Sequence, residues 1–400
     1  MARIAWFPHP SRVIIGQTPP TPEGTLPKGF SLREGEVSDK LSWMQSLLNR
    51  IWYRNAPWWT QPLEIPLAFA SLFYGWGVRR DQVRKISRVR RLPRPVLSVG
   101  NLTVGGTGKT PVVQFLAREA LRTGRRPAIL SRGYGIEVRD PLRVDPDQGD
   151  WRRYGDEPLM LARLSPDVAV WIGKDRFAAG MRALEEDPRI EFFLLDDGFQ
   201  HRQLFRDLDL VLVDGRRGWG NGRLLPWGPL REPSSALSRA DRIGWVMKDS
   251  HTPTEIRPPL EPGRSFRIDL GPVGWNWMGT PASFPLSDLP RNRPAHLVSG
   301  IGAPESFERT ARECGMEVFR HSRFPDHHPF SQREMQNLQE QSRSEGTCLV
   351  TTEKDASRMV SLPMIWTEDS RPIIIQLGLK TGDGTDSLKE IVKIIVDHEK

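Results

Sequence analysis

The sequence predicts an α/β protein with a mostly parallel β-sheet covered by helices on both faces, plus a second, smaller α/β domain. Two observations predict this class. Short apolar runs alternate with helix-like stretches from residue 95 onward, a pattern typical of parallel strands joined by helical crossovers. One of these runs, residues 95–99, leads into a glycine-rich loop and then into a helix-like stretch at 112–121. That order is typical of the P-loop NTPase-like folds.

The elements are justified in chain order by runs of four to seven mostly apolar residues. In the larger domain the predicted strands cover residues 95–99, 126–130, 168–171, 192–195 and 208–213. In the second domain they cover 295–299, 317–320, 348–352 and 373–377, and a closing helix follows at 387–398. Because 400 residues exceed one ordinary core, we expect several parts. These are an extension (1–40), an aromatic and basic segment (41–94), the P-loop core (95–245), a linker (246–290) and the second domain (291–400), whose closing helix packs back on the core.

Composition limits the class of partner. The formal net charge of +8 predicts an anionic partner, which leaves nucleic acid, a membrane surface or a phosphorylated substrate. Cys314 and Cys348 are isolated, so neither a disulfide framework nor a cysteine metal site is predicted, as is typical of a reducing cytosol. No secretory signal and no run of about 20 apolar residues occurs, so no standard membrane-spanning helix is expected.

Residues 1–40 are rich in proline, glycine, threonine and charge, which predicts an unordered extension. We expect a variant that lacks them to fold and to keep nearly all of its activity. Melting curves and activity assays of both forms would check this. A shortened chain that cannot fold would show that the extension belongs to the core.

Residues 41–94 combine features of a membrane-interface helical segment. An apolar run at 63–78 is preceded by aromatic residues and followed by a dense basic flank at 79–94. This combination predicts a segment in the headgroup region of anionic lipids on the cytoplasmic side of a membrane. The alternative is an amphipathic helix that covers the main domain. The aromatic residues are Trp43, Trp52, Tyr53, Trp58 and Trp59.

The glycine-rich loop predicts a phosphate site. Its backbone N–H groups can turn toward an anion, the Lys109 ammonium can reach the terminal phosphates, and the Thr110 hydroxyl is placed to bind Mg²⁺. The predicted ligand is therefore a nucleoside triphosphate. A turn that merely packs a strand on a helix is the alternative, while a dinucleotide site would need glycine at Pro111. The phosphate-binding residues are Thr103, Val104, Gly105, Gly106, Thr107, Gly108, Lys109 and Thr110.

Two carboxylates, Asp196 and Asp197, follow the apolar strand at 192–195. The carboxyl ends of parallel strands meet at the nucleotide crevice, where carboxylates hold Mg²⁺ or its waters against phosphates. Such a pair is otherwise common in turns. Together with the phosphate loop, it predicts a magnesium site.

Other polar motifs offer candidates for acceptor chemistry. Asp156 and Glu157 begin a helix, where they would serve as caps, but a kinase acting on an alcohol also needs a proton acceptor. The run Asp326-His327-His328 suits proton relay or substrate positioning better than metal binding, because adjacent imidazoles point apart. The remaining candidates for contacts with substrate or phosphate are Arg132, Arg231, Glu232 and Lys354, with the loop 214–233 suited to an acidic amphiphile.

Taken together these motifs resemble the tetraacyldisaccharide 4'-kinase family, the lipid A 4'-kinases of Gram-negative bacteria. The resemblance runs from about residue 45 to the C-terminal region and keeps the family order of motifs. The matching pieces are 99–111, 130–135, 155–158, 196–201, 224–226, 229–233, 326–328 and 352–355. The combination is specific, although each piece alone is not.

The resemblance implies transfer of the ATP γ-phosphate to the 4'-hydroxyl of a tetraacylated glucosamine disaccharide 1-phosphate, giving lipid IVA. It implies two α/β/α domains joined by a short β linker, with the active site between them. Asp156 would be the catalytic carboxylate, acting with either His327 or His328, and Lys109 would act on the phosphate. Thr103 agrees with the family's own loop. The extension through about Asp39 departs from the family and suggests a misplaced start codon or a local addition.

Two other classes compete with this interpretation. A P-loop NTPase of the switch or metallochaperone type would need a guanine-reading motif, which residues 352–355 match only loosely; comparing ATP with GTP binding would separate the two. A nucleic-acid-binding protein would also suit the net charge. The excess charge nevertheless lies beside an apolar aromatic segment, so we expect anionic lipid rather than nucleic acid.

Overall fold

The computed structural model describes residues 47–53, 60–147, 150–248, 263–280, 282–367 and 370–397. The predicted extension (1–40) lies outside these residues, as do Trp43, Trp58 and Trp59. The described helices are α1 (Gln61–Ile86), α2 (Lys109–Arg122), α3 (Trp151–Tyr154), α4 (Asp156–Leu164), α5 (Arg176–Glu186), α6 (Pro304–Glu313), α7 (Gln332–Ser344), α8 (Glu353–Met359) and α9 (Asp383–Asp397).

In the described part of the chain, twelve strands form one sheet in the order β10-β9-β11-β12-β8-β7-β6-β1-β5-β2-β4-β3. Neighbouring strands are parallel except for β8 with β12 and β3 with β4, which confirms the predicted mostly parallel sheet. The strands are β1 (Val96–Asn101), β2 (Pro127–Ser131), β3 (Leu142–Arg143), β4 (Ala169–Ile172), β5 (Phe192–Asp196), β6 (Leu208–Asp214), β7 (Arg242–Met247), β8 (Ser265–Trp277), β9 (Ala295–Ser299), β10 (Val318–Arg323), β11 (Cys348–Thr352) and β12 (Ile373–Leu379).

Both faces of the sheet are covered, and this explains why the strands are apolar throughout. Alternate residues of β1 face opposite cores: Leu97 and Val99 pack with α2 and α9, whereas Val96 packs with α5. A strand buried on both faces has no polar positions to alternate with the apolar ones. The closing helix α9 therefore belongs to the same core as the phosphate-loop helix α2.

Strand β8 occupies much of the segment that the sequence predicted to be a linker, residues 246–290. Its first part, Ser265 to Asp269, pairs in parallel with β7. Its second part, Leu270 to Trp277, pairs antiparallel with β12. One strand thus joins the two parts of the sheet.

The topology brings the carboxyl ends of four strands to one edge. β1 lies between β5 and β6, and β2 pairs with β5, all in parallel. Their last residues are Asn101, Asp196, Asp214 and Ser131. In open parallel sheets this edge is where ligands bind.

Helix α1 turns a polar stripe toward the loop at 219–232. Ser71 Oγ donates to the Leu224 carbonyl at 3.1 Å, and the Tyr74 hydroxyl donates to the Arg231 carbonyl at 3.1 Å. The opposite stripe is apolar, with six side chains between 61% and 74% exposed: Ile65, Phe69, Leu72, Phe73, Trp76 and Val83. The usual polarity of a covering helix is thereby reversed. Among the described helices, none is both long and apolar enough to cross a bilayer.

Candidate active site

The phosphate loop is held in an open turn between β1 and α2. Gly108 has φ +87°, and a Cβ there would lie 2.6 Å from Leu270 Cδ1, so only glycine fits. The Val104 N–H donates to the Pro229 carbonyl at 2.9 Å, which fixes the start of the loop. Thr107 Oγ1 is buried and has no hydrogen-bond partner within the described residues. The loop is therefore shaped by its surroundings while keeping polar groups for a ligand.

The Lys109 ammonium lies at the strand ends behind the loop. Its Nζ is 3.2 Å from Asn101 Oδ1 and 3.3 Å from Asp197 Oδ1. Asn101 is itself oriented, because its side-chain amide donates to the Thr103 carbonyl at 2.7 Å. These contacts place a positive charge beside both the loop and the predicted magnesium carboxylates.

The two carboxylates after β5 differ in protonation. Burial raises the pKa of Asp196 to about 7, with the charges of Glu157 and Asp197 adding to the effect. Burial also acts to raise the pKa of Asp197, but the charges and hydrogen bonds of Lys109 and Arg231 lower it to about 2. Asp196 Oδ2 accepts from the Ser131 hydroxyl at 3.1 Å. Asp196 is thus a carboxylate that a bound cation would help to ionise.

These residues fit a magnesium ion. Within the described residues, no three histidine, cysteine, aspartate or glutamate side chains are grouped closely enough to hold a metal by themselves. Mg²⁺ usually needs only one or two carboxylates, because phosphate oxygens and waters complete its shell. Asp196, Asp197 and the Thr110 hydroxyl, in the first turn of α2, supply oxygen ligands of this kind.

The second half of the chain brings an imidazole to Asp156. His327 Nδ1 lies 2.8 Å from Asp156 Oδ2, although the two residues are 171 positions apart. Asp156 is buried at the start of α4 and its Oδ1 accepts from the Glu157 N–H at 2.9 Å. His327 has φ +61°, an uncommon conformation for a side-chain-bearing residue. The hydrogen bond from Asp156 raises the pKa of His327.

His328 has different surroundings. Its Nε2 lies 3.0 Å from Glu334 Oε1, and its ring stacks on Phe324 at 4.7 Å between centroids. Of the two histidines left open by the sequence, His327 is the one that contacts Asp156. His328 instead fastens its loop to α7.

Lys354 links this pair to the nucleotide side. Its Nζ lies 3.1 Å from His327 Nε2 and 3.6 Å from Glu157 Oε1. Glu157 is close enough to Asp196 for its charge to raise the pKa of that carboxyl. The Tyr134 ring, 73% exposed, lies 6.4 Å from the His327 ring. The motifs on α4, β5 and α8 therefore converge on one site.

The predicted substrate residues are placed unequally. Arg132 is exposed on the loop after β2. Arg231 Nη1 donates to Asp197 Oδ2 at 2.9 Å, so it lies on the nucleotide side. Glu232 is buried and accepts from Gln82 Nε2 and, at 2.9 Å, from Arg239 Nη2. Its carboxylate thus joins α1 to the loop at 219–232.

Sequence reasoning did not single out Asp214, Lys248 or Arg176. Lys248 Nζ lies 3.0 Å from Asp214 Oδ2 and also donates to the Gly106 carbonyl, so this pair braces the phosphate loop. Burial lowers the pKa of Arg176 to about 10, and Arg132, Asp197 and Asp196 lie near enough to affect it. The position of Asp214 at the end of a strand was an available signal. For Lys248 and Arg176 no local pattern exists.

Comparison with known proteins adds to this geometry. A family model described as LpxK, tetraacyldisaccharide-1-P 4'-kinase, matches residues 63–393. This chain belongs to that family. The tetraacyldisaccharide 4'-kinase of Paramagnetospirillum magneticum is 38% identical over 295 residues, covering 73% of this chain and 85% of the relative. That of Brucella ovis is 34% identical, covering 86% of this chain and 96% of the relative.

A solved structure of LpxK from Aquifex aeolicus in complex with ATP is also similar. It has 29% sequence identity and a TM-score of 0.67, covering 84% of this chain and 99% of that one. The family match begins within α1 and ends within α9. It therefore contains the phosphate loop, Asp156 and His327, and the family predicted from the motifs is confirmed.

Proposed function

We propose that this protein is an ATP-dependent kinase that phosphorylates the 4'-hydroxyl of a tetraacylated glucosamine disaccharide 1-phosphate, giving lipid IVA in lipid A biosynthesis. The observation that carries the proposal is the contact between Asp156 and His327, joined through Lys354 and Glu157 to the phosphate-loop side. A carboxylate–imidazole pair facing a phosphate site suits phosphoryl transfer to an alcohol. Family membership supplies the substrate.

On the nucleotide side, residues 103–110 hold the phosphates through backbone N–H groups, and Lys109 compensates their negative charge. Asp196, Asp197 and Thr110 would hold Mg²⁺, which when bound neutralises charge on the β- and γ-phosphates. Arg231 keeps Asp197 ionised and oriented. The Lys248–Asp214 brace keeps the loop in place. Catalysis on this side is positioning and charge compensation.

On the acceptor side, the Asp156–His327 pair takes the proton of the 4'-hydroxyl as the oxygen attacks phosphorus. Asp156 is buried, whereas the His327 side chain is 42% exposed, so the imidazole is the member that the substrate can reach. The two groups share a hydrogen bond, so the proton's charge belongs to the pair. The exposed Tyr134 ring beside His327 gives the sugar an apolar surface.

The deciding experiment measures transfer of ³²P from [γ-³²P]ATP to a purified tetraacyldisaccharide 1-phosphate. We expect labelled lipid only when protein, ATP and acceptor are all present, and far less label from GTP. Nucleotide hydrolysis without lipid labelling would instead favour a switch-type NTPase. Retention of DNA at physiological salt would favour a nucleic-acid role.

We further propose that α1 lies on the cytoplasmic face of the inner membrane as a peripheral or monotopic anchor. Support comes from the exposed apolar stripe of α1 and from the cationic residues near its carboxyl end, Arg79, Arg80, Arg84, Lys85 and Arg88. Such a helix buries its apolar side at the acyl boundary while its cations meet anionic headgroups. The proposed lipid substrate resides in the same layer.

Replacing Arg79, Arg80, Arg84 and Lys85 with glutamine should strongly weaken flotation with anionic vesicles and barely change flotation with neutral ones. The reason is that each cation near an anionic surface contributes about 1 kcal/mol. The difference should shrink as salt screens the charges. Activity on micellar substrate should fall less than activity on bilayers.

The matched control removes four cations elsewhere: Arg182, Arg189, Arg312 and Arg343. It has the same change in net charge, and we expect flotation close to wild type. Equal losses by both variants, or equal losses on anionic and neutral vesicles, would refute the interfacial role of α1.

A further inference from the structure

Arg358 is an arginine whose side chain is fully buried on α8, beside Asp156. Its Nη2 donates to the Gly300 carbonyl at 2.9 Å and to Asp355 Oδ1. Its Nη1 lies 3.9 Å from Asp156 Oδ2. Arginine is almost never fully buried unless its charge is paired. Here one guanidinium faces two carboxylates and one carbonyl.

The Gly300 carbonyl connects Arg358 to His327. It accepts the His327 N–H at 3.1 Å as well as Arg358 Nη2. The Gly300 N–H in turn donates to Asp355 Oδ1 at 3.0 Å. Because His327 adopts φ +61°, its backbone needs surroundings that hold it in place. Arg358 and Asp355 fix the carbonyl to which that backbone is tied.

The opposite edge of the guanidinium is turned to Asp156. Nε and Nη1 of Arg358 have no hydrogen-bond partner within the described residues, and the Phe330 ring lies 5.8 Å from its Cζ. Nη1 is therefore a buried donor whose nearby acidic atom is Asp156 Oδ2. The charge acts on Asp156 through a short distance in a water-poor place.

We propose that Arg358 is a positioning residue for phosphoryl transfer, which holds the His327 backbone through Gly300 and keeps the Asp156 carboxylate ionised and aligned with the imidazole. This rests on the function proposed above for the Asp156–His327 pair. The role differs from simple interface packing, because one side chain reaches both members of the pair.

Several charged groups face Asp156, and each affects its ionisation. Burial raises the pKa of Asp156, but the His327 hydrogen bond and the charges of Lys354, His327 and Arg358 lower it overall. Glu157 follows Asp156 on α4, and Asp326 Oδ1 lies 4.0 Å from His327 Nε2. Loss of the Arg358 charge should therefore raise the pKa of Asp156 and move the acid limb of the kcat/KM profile to higher pH.

The test compares Arg358→Gln and Arg358→Lys in the full-length protein, using the lipid phosphorylation assay. For Arg358→Gln we expect kcat to fall about 100-fold with the KM for ATP within about two-fold of wild type. The acid limb should rise by about half a pH unit or more. Arg358→Lys keeps the charge but cannot reach both Gly300 and Asp355, so kcat should fall only about ten-fold with the acid limb unmoved.

The matched control is Arg163→Gln. Arg163 lies on α4 and donates through Nη1 to the Ser357 carbonyl at 3.1 Å, so it bridges the same two helices as Arg358. Its Nε donates to the Pro146 carbonyl at 3.1 Å, so these two hydrogen bonds go to backbone carbonyls other than that of Gly300. We expect its kcat and acid limb to stay close to wild type.

A kcat near wild type or an unmoved acid limb in Arg358→Gln would overturn the proposal, as would an equal loss in Arg163→Gln. If Arg358→Gln does not fold, Arg358→Lys decides, and a wild-type kcat there would overturn it. Failure of the proposed function looks different. In that case wild-type protein makes no labelled lipid, or Asp156→Asn keeps full activity.

Discussion

Replacing Lys109 with alanine is expected to lower kcat/KM for lipid phosphorylation roughly a thousand-fold or more, because electrostatic compensation dominates phosphoryl transfer. The Lys109 ammonium lies between Asn101 and Asp197 at the base of the phosphate loop, so no other described cation occupies that position. Initial rates with [γ-³²P]ATP would measure the loss. Lys109→Met, which keeps most of the side-chain volume, should lose as much.

The control for this prediction is Lys393→Ala, an exposed lysine on α9. Its rate should match wild type, and melting curves of all variants would separate loss of chemistry from loss of fold. Wild-type turnover in Lys109→Ala would refute the assignment of the nucleotide site.

Asp156→Asn is expected to lower kcat by roughly two to four orders of magnitude with little change in the affinity for ATP. The amide keeps the shape of the carboxylate but cannot hold the proton that His327 shares with it at 2.8 Å. Steady-state kinetics and nucleotide binding would be measured separately. A collapse of ATP affinity would show instead that Asp156 organises the nucleotide side.

Glu157→Gln is the matched control, because it changes the next carboxylate on the same helix. Glu157 contacts Lys354 but not His327 in the described hydrogen bonds, so a loss within about ten-fold is expected. The variant His327→Ala should resemble Asp156→Asn, and the double variant should lose little more than either alone. Full additivity would show that the two residues do not act as a pair.

Much of the fold could be predicted because the relevant forces are local. Strand β1 is apolar at successive positions since helices cover both of its faces, and the glycines after it leave few conformations besides a phosphate-binding turn. Strand β3 has two residues and only one neighbour, β4, so it leaves no apolar run to detect. The dual pairing of β8 was equally hidden, because a proline- and glycine-rich stretch does not reveal which strands flank it.

The site divides in the same way. Lys109, Thr110, Asp196 and Asp197 each lie within a few residues of a strand end, so sequence position alone predicted where their side chains meet. The sequence also indicated Glu232 as a substrate residue, whereas its buried contacts with Gln82 and Arg239 join it to α1. Burial, which turns a carboxylate from a ligand into an anchor, is not a local property of the chain.

By itself, the sequence determined the parallel sheet, the phosphate loop, the strand-end carboxylates and the family, because each depends on neighbours within one element or one turn. Only the tertiary structure decided that His327 rather than His328 meets Asp156, that Arg358 lies behind both, and that α1 turns its apolar side outward. These outcomes join residues up to 171 positions apart or depend on which face a helix buries. They follow from the packing of whole elements, in which the backbone of His327 and the Gly300 carbonyl set the final direction of one imidazole.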